Sequence, residues 1–243
     1  MNKSMKSLVA ASVLAALMGS GAAMAGASAN VGATSNYVWR GITQSADGAA
    51  VSGGLDYSHD SGLYVGTWTS STAWGSPEID LYGGYAHTFG GVSLDVGLTR
   101  YYYPTDVNGG TAAAFGGSNF NLDWTEGKVA VGYGPAKLTV AHGDDVFGWV
   151  NVNSNYVALD LSQTLKDDLS VGLHVGHWNF SDPIVVSIKC NTCTADDNMT
   201  EYGVSLTKGE FTFTVSDSNL DKADAYQDGT PRMYVTYTKK FDL

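Results

Sequence analysis

The stretch Val92-Ser-Leu-Asp-Val-Gly-Leu98 alternates aliphatic residues with small or acidic ones along its whole length. Successive side chains of a β-strand point to opposite sides, so the aliphatic residues share one face while Ser93 and Asp95 share the other. The same period of two recurs over residues 169–176 and 211–216. We therefore predict strands that have one apolar and one polar face.

Further runs of this kind follow one another along the chain, and the connections between them alternate in length. Tight turns, such as 59–61 and 209–210, alternate with longer connections, such as 104–118 and 181–199. Hairpins with short turns at one end and long loops at the other are typical of outer-membrane barrels. The predicted strands span residues 29–41, 49–58, 62–70, 77–88, 92–103, 119–133, 136–142, 154–165, 169–180, 200–208, 211–218 and 232–243.

The pattern predicts an all-β fold, namely a transmembrane antiparallel β-barrel of about 12 strands with short periplasmic turns and longer extracellular loops. The alternative is a soluble β-sandwich or a lipocalin-like barrel, because such proteins also alternate apolar and polar residues. A barrel with this many strands has a lumen too wide to fill with a dry core of small residues. Its polar face therefore suits a wet lumen, and its apolar face suits lipid.

Composition narrows the class of protein further. Of the 243 residues, 44% are hydrophobic and only 15% are charged, and the formal net charge is −11. The acidic balance removes the electrostatic attraction that drives nucleic-acid binding, so we expect no nucleic-acid partner. Beyond residue 25 no apolar run is long enough to form a membrane-spanning helix. Barrel strands remain possible, because they give only a weak hydropathy signal.

The N-terminus reads as a targeting segment. Residues 1–25 contain two lysines, then an apolar stretch, then a small-residue cleavage site that ends at Ala25, with Ala29 as an alternative end. This order is that of a secretory signal peptide. We predict that residues 26–243 form an outer-membrane β-barrel in a Gram-negative bacterium.

Aromatic residues cluster near the ends of the predicted strands, which suggests the two interfacial belts of a membrane barrel. One predicted belt comprises Tyr37, Trp39, Trp68, Tyr101, Tyr102, Tyr103 and Trp178. The other comprises Tyr57, Tyr64, Phe89, Tyr133, Phe211 and Phe241.

The expected partners follow from this location. The amphipathic last strand, residues 232–243, resembles the insertion signal that the barrel-assembly machinery reads in bacterial outer-membrane proteins. Outer-membrane lipid and lipopolysaccharide would surround the barrel, and small solutes or ions would occupy its lumen. Acidic loop pairs such as Asp144-Asp145 are able to meet divalent ions that bridge lipopolysaccharide, although such pairs occur on many surfaces. The sequence does not fix an oligomeric state.

Several stretches carry a family resemblance. Residues 30–44 look like the opening block of the TorF family, a bacterial outer-membrane family of formerly unknown function whose members are assigned as porins. The stretches at 53–57, 62–68, 78–85 and 123–127 match the same pattern. The resemblance implies an outer-membrane barrel with pore activity. It carries no substrate and no catalytic residue.

Strand parity assigns charged side chains to the predicted lumen. The functional interpretation is a polar pore whose carboxylates favour cations, as charged rings do in channels. The alternative is that opposite charges pair across the lumen and plug it. Glu126 and Lys128 lie in a run whose register is ambiguous. The candidate pore-lining residues are Arg40, Asp56, Asp80, Asp95, Asp160, Glu201, Lys137 and Arg232.

The two cysteines, Cys190 and Cys193, form a single pair within the 181–199 connection. A redox motif or a metal site would need partners that the sequence lacks. In an exported protein the pair predicts a local disulfide at the loop tip. We expect no cofactor, no metal site and no catalytic residue.

The sequence therefore predicts a porin for passive diffusion of small solutes or ions, with a weak cation preference. A narrow or plugged barrel that acts as a surface receptor or adhesin through its loops is one alternative. An outer-membrane lipid hydrolase is another, although no Gly-x-Ser-x-Gly motif occurs. We expect that the protein is not an enzyme.

Overall fold

In a computed structural model of the chain, the described residues are 26–73, 75–104, 121–148, 151–184, 196–220 and 231–243. The predicted signal peptide and both cysteines lie outside them. The strands are β1 (Gly26–Thr34), β2 (Val38–Trp39), β3 (Ile42–Thr43), β4 (Ala50–Ser58), β5 (Leu63–Ser70), β6 (Glu78–Phe89), β7 (Val92–Tyr102), β8 (Trp124–Tyr133), β9 (Ala136–Asp144), β10 (Ser154–Lys166), β11 (Leu169–Ile184), β12 (Asp196–Lys208), β13 (Phe211–Ser218) and β14 (Arg232–Asp242).

All of these strands except β2 and β3 form one closed barrel within the described residues. Each strand pairs antiparallel with its neighbours in the chain, and β1 closes the ring by pairing with both β14 and β4. The connections alternate between short turns, such as 90–91 and 167–168, and longer loops, such as 71–77 and 145–153. The predicted antiparallel barrel with twelve strands is confirmed, and both ends of the barrel sequence lie at its short-turn end.

The barrel has its apolar surface on the outside. Val96 is 44% exposed and Leu173 is 49% exposed, whereas their neighbours Asp95 and His174 turn inwards and bond to other lumen side chains. The exposed aliphatic side chains recur on nearly every strand, as the exterior of a membrane barrel requires. No helix in the described ranges is long and apolar enough to cross a membrane.

The predicted strand 29–41 is wrong in its second half. β1 ends at Thr34, and the chain then turns into the barrel as the small hairpin of β2 and β3. Arg40 and Gly41, at the hairpin turn, have positive φ angles of 45° and 75°. A barrel strand cannot continue through two residues with positive φ. Glycine accepts this backbone conformation, but other residues rarely adopt it.

The predicted aromatic belt at the long-loop end is also wrong for most of its members. Only Tyr102 points outwards, with 41% of its surface exposed. The other rings are at most 8% exposed because they pack inside the barrel, and they are Tyr37, Trp39, Trp68, Tyr101, Tyr103 and Trp178.

At the short-turn end, Tyr64 likewise turns inwards, where its hydroxyl donates to Asp95. The remaining aromatic residues of that predicted belt are exposed on the outside of the barrel. They are Tyr57, Phe89, Tyr133, Phe211 and Phe241.

Candidate functional site in the barrel lumen

The first long connection, residues 35–49, enters the lumen at the long-loop end. We call its central part, residues 36–47, the lumen hairpin. Asn36 organises it by donating to Asp47 at 2.8 Å and accepting from Thr43 at 2.7 Å. Arg232 on β14 holds it to the wall through a bond from Nε to Asp47 at 2.7 Å. The hairpin is therefore fastened at its base.

The tip of the lumen hairpin reaches the far side of the barrel. Arg40 donates two hydrogen bonds to the Glu126 carboxylate on β8, at 2.7 and 2.8 Å. A Cβ at Gly41 would lie 2.8 Å from the Cβ of Glu201 on β12. Only a residue without a side chain fits this close approach, so the hairpin spans the lumen between two walls.

Aromatic rings from the wall surround the hairpin. The Trp39 ring lies 5.1 Å from the Trp178 ring and 5.9 Å from the Trp124 ring, in edge-to-face geometry. Tyr101 stacks on Trp124 with ring centroids 4.3 Å apart, and Phe147 joins from the connection after β9. Such aromatic pairs each add about 0.5–1.5 kcal/mol beyond the area they bury. We call these five rings the aromatic plug, because they pack against one another inside the barrel and each is at most 8% exposed.

Arg40 connects the aromatic plug to the charges below it. Its guanidinium lies 3.8 Å from the centroid of the Tyr156 ring and 4.9 Å from that of Trp178. Burial alone lowers the pKa of this guanidinium, but the nearby Glu126 carboxylate outweighs it, so the pKa lies above its ordinary value. Arg40 therefore stays charged, and its planar fork suits a bidentate ion pair that also stacks on rings.

Two further carboxylates lie on β6 at the edge of the plug. Glu78 is 3% exposed and accepts hydrogen bonds from the hydroxyls of Tyr37 and Tyr103, both at 2.6 Å. Asp80 is 2% exposed, and its Oδ1 has no hydrogen-bond partner in the described part of the chain. Glu78 is thus held in place by phenols, whereas one oxygen of Asp80 is left unsatisfied.

A second network runs along the inner wall around His174. Its Nδ1 lies 2.7 Å from Asp160, and its Nε2 lies 2.7 Å from Glu201. Lys137 also contacts Asp160, at 3.2 Å, and the Tyr156 hydroxyl donates to Glu201 at 2.7 Å. The histidine therefore bridges two carboxylates from β10 and β12.

A third network is formed by tyrosines that lean over neighbouring strands. The Tyr64 hydroxyl and Lys128 Nζ both donate to Asp95 at 2.8 Å. A Cβ at Gly97 would lie 2.5 Å from that hydroxyl, so the glycine makes room for the ring. On the other side, Tyr82 donates to Asp56 at 2.5 Å.

The wall made by β12, β13, β14 and β1 is different in chemistry. Hydroxyls bond to one another there, Thr207 with Thr212 at 2.9 Å and Thr236 with Thr34 at 3.0 Å. The lumen is therefore asymmetric, with most of its charged and aromatic side chains on β6 to β11 and a hydroxyl-rich wall opposite.

The alternation along the strands predicted that the candidate residues face the lumen, and most of them do face the lumen in the structure. Arg40 lies on the lumen hairpin rather than on a strand, and Arg232 contacts the hairpin base. Whether any of these residues lines a conducting path stays a prediction. The residues found inside the barrel wall are Asp56, Asp80, Asp95, Lys137, Asp160 and Glu201.

Sequence reasoning missed several residues of the site. Glu78 shares the parity of Asp80 on the same strand, so the alternation alone could have found it. Glu126 and Lys128 also share a face, and β8 carries no irregularity in its pairing with β7. The aromatic plug had a weaker signal, because rings near strand ends suit the lipid interface equally well.

Histidines on the outer surface bear on the hydrolase alternative. His142 pairs with Asn155 at 3.0 Å and Asp144 at 3.3 Å, and His177 pairs with Thr200 at 2.9 Å. A hydrolytic triad needs a hydroxyl or thiol, a histidine and an orienting group together. In the described part of the chain, neither histidine has both a hydroxyl and an acid as partners.

Fold and lumen together define a class: a membrane-embedded β-barrel with a polar, charged interior and an inward-folded hairpin. The chain belongs to the family described as "Bacterial protein of unknown function (Gcw_chp)", whose model matches residues 19–187. The description of that family assigns no function to its members. The narrower resemblance to the TorF porins stays a prediction. No curated protein matches the chain in sequence.

Solved structures share the architecture at low sequence identity. A chain from work on the in-meso crystallization of membrane proteins has a TM-score of 0.53 and 8% identity, covering 89% of this chain and 83% of that one. The KdgM porin has a TM-score of 0.49 and 8% identity, covering 89% and 99%. The NanC porin has a TM-score of 0.49 and 9% identity, with the same coverage. At this identity the first similarity shows the barrel fold alone.

Proposed function

We propose that the protein is a bacterial outer-membrane porin for passive diffusion of small solutes and ions, narrowed by its lumen hairpin. The observation that carries the proposal is the closed barrel, which has an aliphatic exterior and a lumen of charged and hydroxyl side chains. A water-filled pathway needs such a polar interior, whereas a structural core does not. The protein acts as a channel and not as an enzyme.

The proposed pore prefers cations. Glu126, Asp95 and Asp160 pair with Arg40, Lys128 and Lys137. Among the described residues, no lysine or arginine pairs with the remaining lumen carboxylates, so negative charge is in excess. Fixed negative charge raises the local cation concentration until salt screens it. Glu201 pairs with His174, so the carboxylates that have no basic partner among the described residues are Asp56, Glu78 and Asp80.

The selectivity is measured by the reversal potential of single channels under a KCl gradient. We expect a weak cation preference that fades as salt rises. Changing Asp95 and Asp160 together to Asn should move the potential towards zero, because Lys128 and Lys137 lose their counter-charges. Asp217→Asn, on the outer surface, removes the same kind of charge and should leave the potential unchanged. An anion preference in the parent protein would contradict the proposal.

The proposed orientation places the short turns in the periplasm and the long loops outside the cell. An epitope inserted at Asn191, in the connection between β11 and β12, should be labelled by antibody on intact cells. The same epitope in the turn at Gly134 should be labelled only after lysis. Labelling of the Asn191 epitope only after lysis would reject this orientation.

The aromatic plug favours a second candidate, a closed barrel that acts as a surface receptor or adhesin through its loops. The five rings are 8% exposed or less, and Arg40 locks them to the wall. In this case the folded protein would conduct no ions, and loosening the hairpin would create conductance that the parent lacks. The same recordings therefore separate the two candidates.

A further inference from the structure

We propose that Asp80 and Glu78 form a binding site for a calcium-like divalent cation in the lumen, beside the lumen hairpin. The inference rests on the proposed function, because the ion would reach the site through the barrel. It names a ligand that the porin proposal does not require.

One oxygen of the Asp80 carboxylate is buried and unsatisfied among the described residues. Asp80 is 98% buried, and its Oδ1 accepts no hydrogen bond from the described residues. Burial of a carboxylate without a partner is costly, so such a group in proteins is protonated or bound to a cation. The charged neighbours that act on Asp80 are the carboxylates of Glu78 and Glu126, and Glu126 is paired with Arg40.

Glu78 lies on the same face of β6 as Asp80. The two residues alternate on β6, so their side chains leave the same face about 7 Å apart along the strand. The hydroxyls of Tyr37 and Tyr103 fix the Glu78 carboxylate by one bond to each oxygen, at 2.6 Å. Each oxygen retains a second lone pair for a ligand, because a carboxylate accepts at about four sites. The two tyrosines thus orient the Glu78 carboxylate and leave lone pairs free to bind a cation.

The ligand atoms that these side chains offer are all oxygens. Carboxylate and phenol oxygens are hard ligands, which suit calcium or magnesium rather than zinc or copper. Arg40 pairs with Glu126 rather than with this pair, so its guanidinium does not compete with a bound cation for the two carboxylates. Calcium tolerates irregular oxygen geometry, whereas magnesium demands a near-ideal octahedron. An irregular set on one strand therefore favours calcium.

The binding test uses terbium as a calcium substitute on the full barrel in detergent micelles, excited through its aromatic residues. Tyr37 and Trp68 lie 5.5 Å apart beside the site, so they can sensitise a bound ion. We expect a saturable signal that calcium competes away. Asp80→Asn and Glu78→Gln should each weaken binding by about tenfold or more. Asp56→Asn, a charge-matched control elsewhere in the lumen, should bind as the parent does.

Each outcome decides the proposal. Heat-modified migration on gels identifies the folded barrel, and either the Asp80 or the Glu78 variant suffices if the other misfolds. The proposal would be overturned if the parent and a folded Asp80→Asn variant gave equal terbium titrations. It would also be overturned if the parent gave no saturable terbium signal, which is the result expected when Asp80 is protonated instead of bound to a cation. Binding without conductance would keep this site and reject the porin proposal. Conductance without binding would do the reverse.

Discussion

Replacement of Arg40 by alanine is expected to lower the free energy of unfolding by about 3–5 kcal/mol, the cost of breaking a buried ion pair by removing one partner. Glu126, whose side chain is 6% exposed, would lose both of its charge-assisted bonds and stay buried as an anion. The stacking of the guanidinium on Tyr156 would be lost as well. Urea unfolding in detergent, followed by tryptophan fluorescence, measures the change.

The matched control removes both partners of the pair. In the double variant Arg40→Ala with Glu126→Gln no buried charge remains unpaired, so we expect it to recover part of the lost stability. Chymotrypsin sensitivity of the hairpin, which keeps Tyr37 and Trp39 in both variants, should follow the same order. If the single and double variants were equally unstable, the ion pair would not be the feature that holds the hairpin.

Replacement of Val96 by arginine is the second prediction with a large effect. Val96 is 44% exposed on the outer face of β7, in the middle of the strand. An arginine that faces lipid near the midplane costs about 2–4 kcal/mol. We expect this loss when the protein is unfolded from lipid vesicles rather than from detergent, because the bilayer core supplies the penalty.

Ser93→Arg is the matched control, because Ser93 lies on the opposite face of the same strand. An arginine there would point into the lumen rather than into lipid, so the loss should be far smaller. Equal losses at both positions would mean that the two faces of β7 have been assigned wrongly.

Much of the fold could be predicted from the sequence, because a membrane barrel imposes a strict period of two on its strands. The run from Val92 to Leu98 shows this clearly, since Val92, Val96 and Leu98 are exposed on the outside while Asp95 contacts Lys128 on the lumen face. Connection lengths gave the topology for a similar reason, because adjacent antiparallel strands need only a few residues to turn. Strand alternation and connection length are local signals, so they can be read from a single sequence.

The lumen hairpin could not be predicted in the same way. The residues Tyr37 and Trp39 alternate as a strand does, so local pattern extends β1 through them. What bends the chain inwards is long-range, namely the Arg40 bond to Glu126 and the rings of Trp124 and Trp178. A sequence pattern does not show which rings meet across a barrel. The positive φ at Gly41 is consistent with the turn, but glycine is common throughout this chain.

The same limit applies to the charges in the lumen. Parity assigns Asp80, Asp160 and Glu201 to one face, yet it does not say which of them pair. The structure pairs Asp160 and Glu201 through His174, and within the described ranges it gives one oxygen of Asp80 no partner. Pairing depends on barrel stagger, which shifts each strand relative to the next.

The central claim is that the lumen is an ion pathway narrowed by its own hairpin. Single-channel conductance in planar bilayers tests it, comparing the parent with a triple variant, Trp39→Ala, Arg40→Ala and Glu126→Gln, which loosens the hairpin and leaves no buried charge unpaired. We predict small, well-defined steps for the parent and larger steps for the variant. Equal conductance of the two would contradict the account, and so would folded parent protein that conducts no ions.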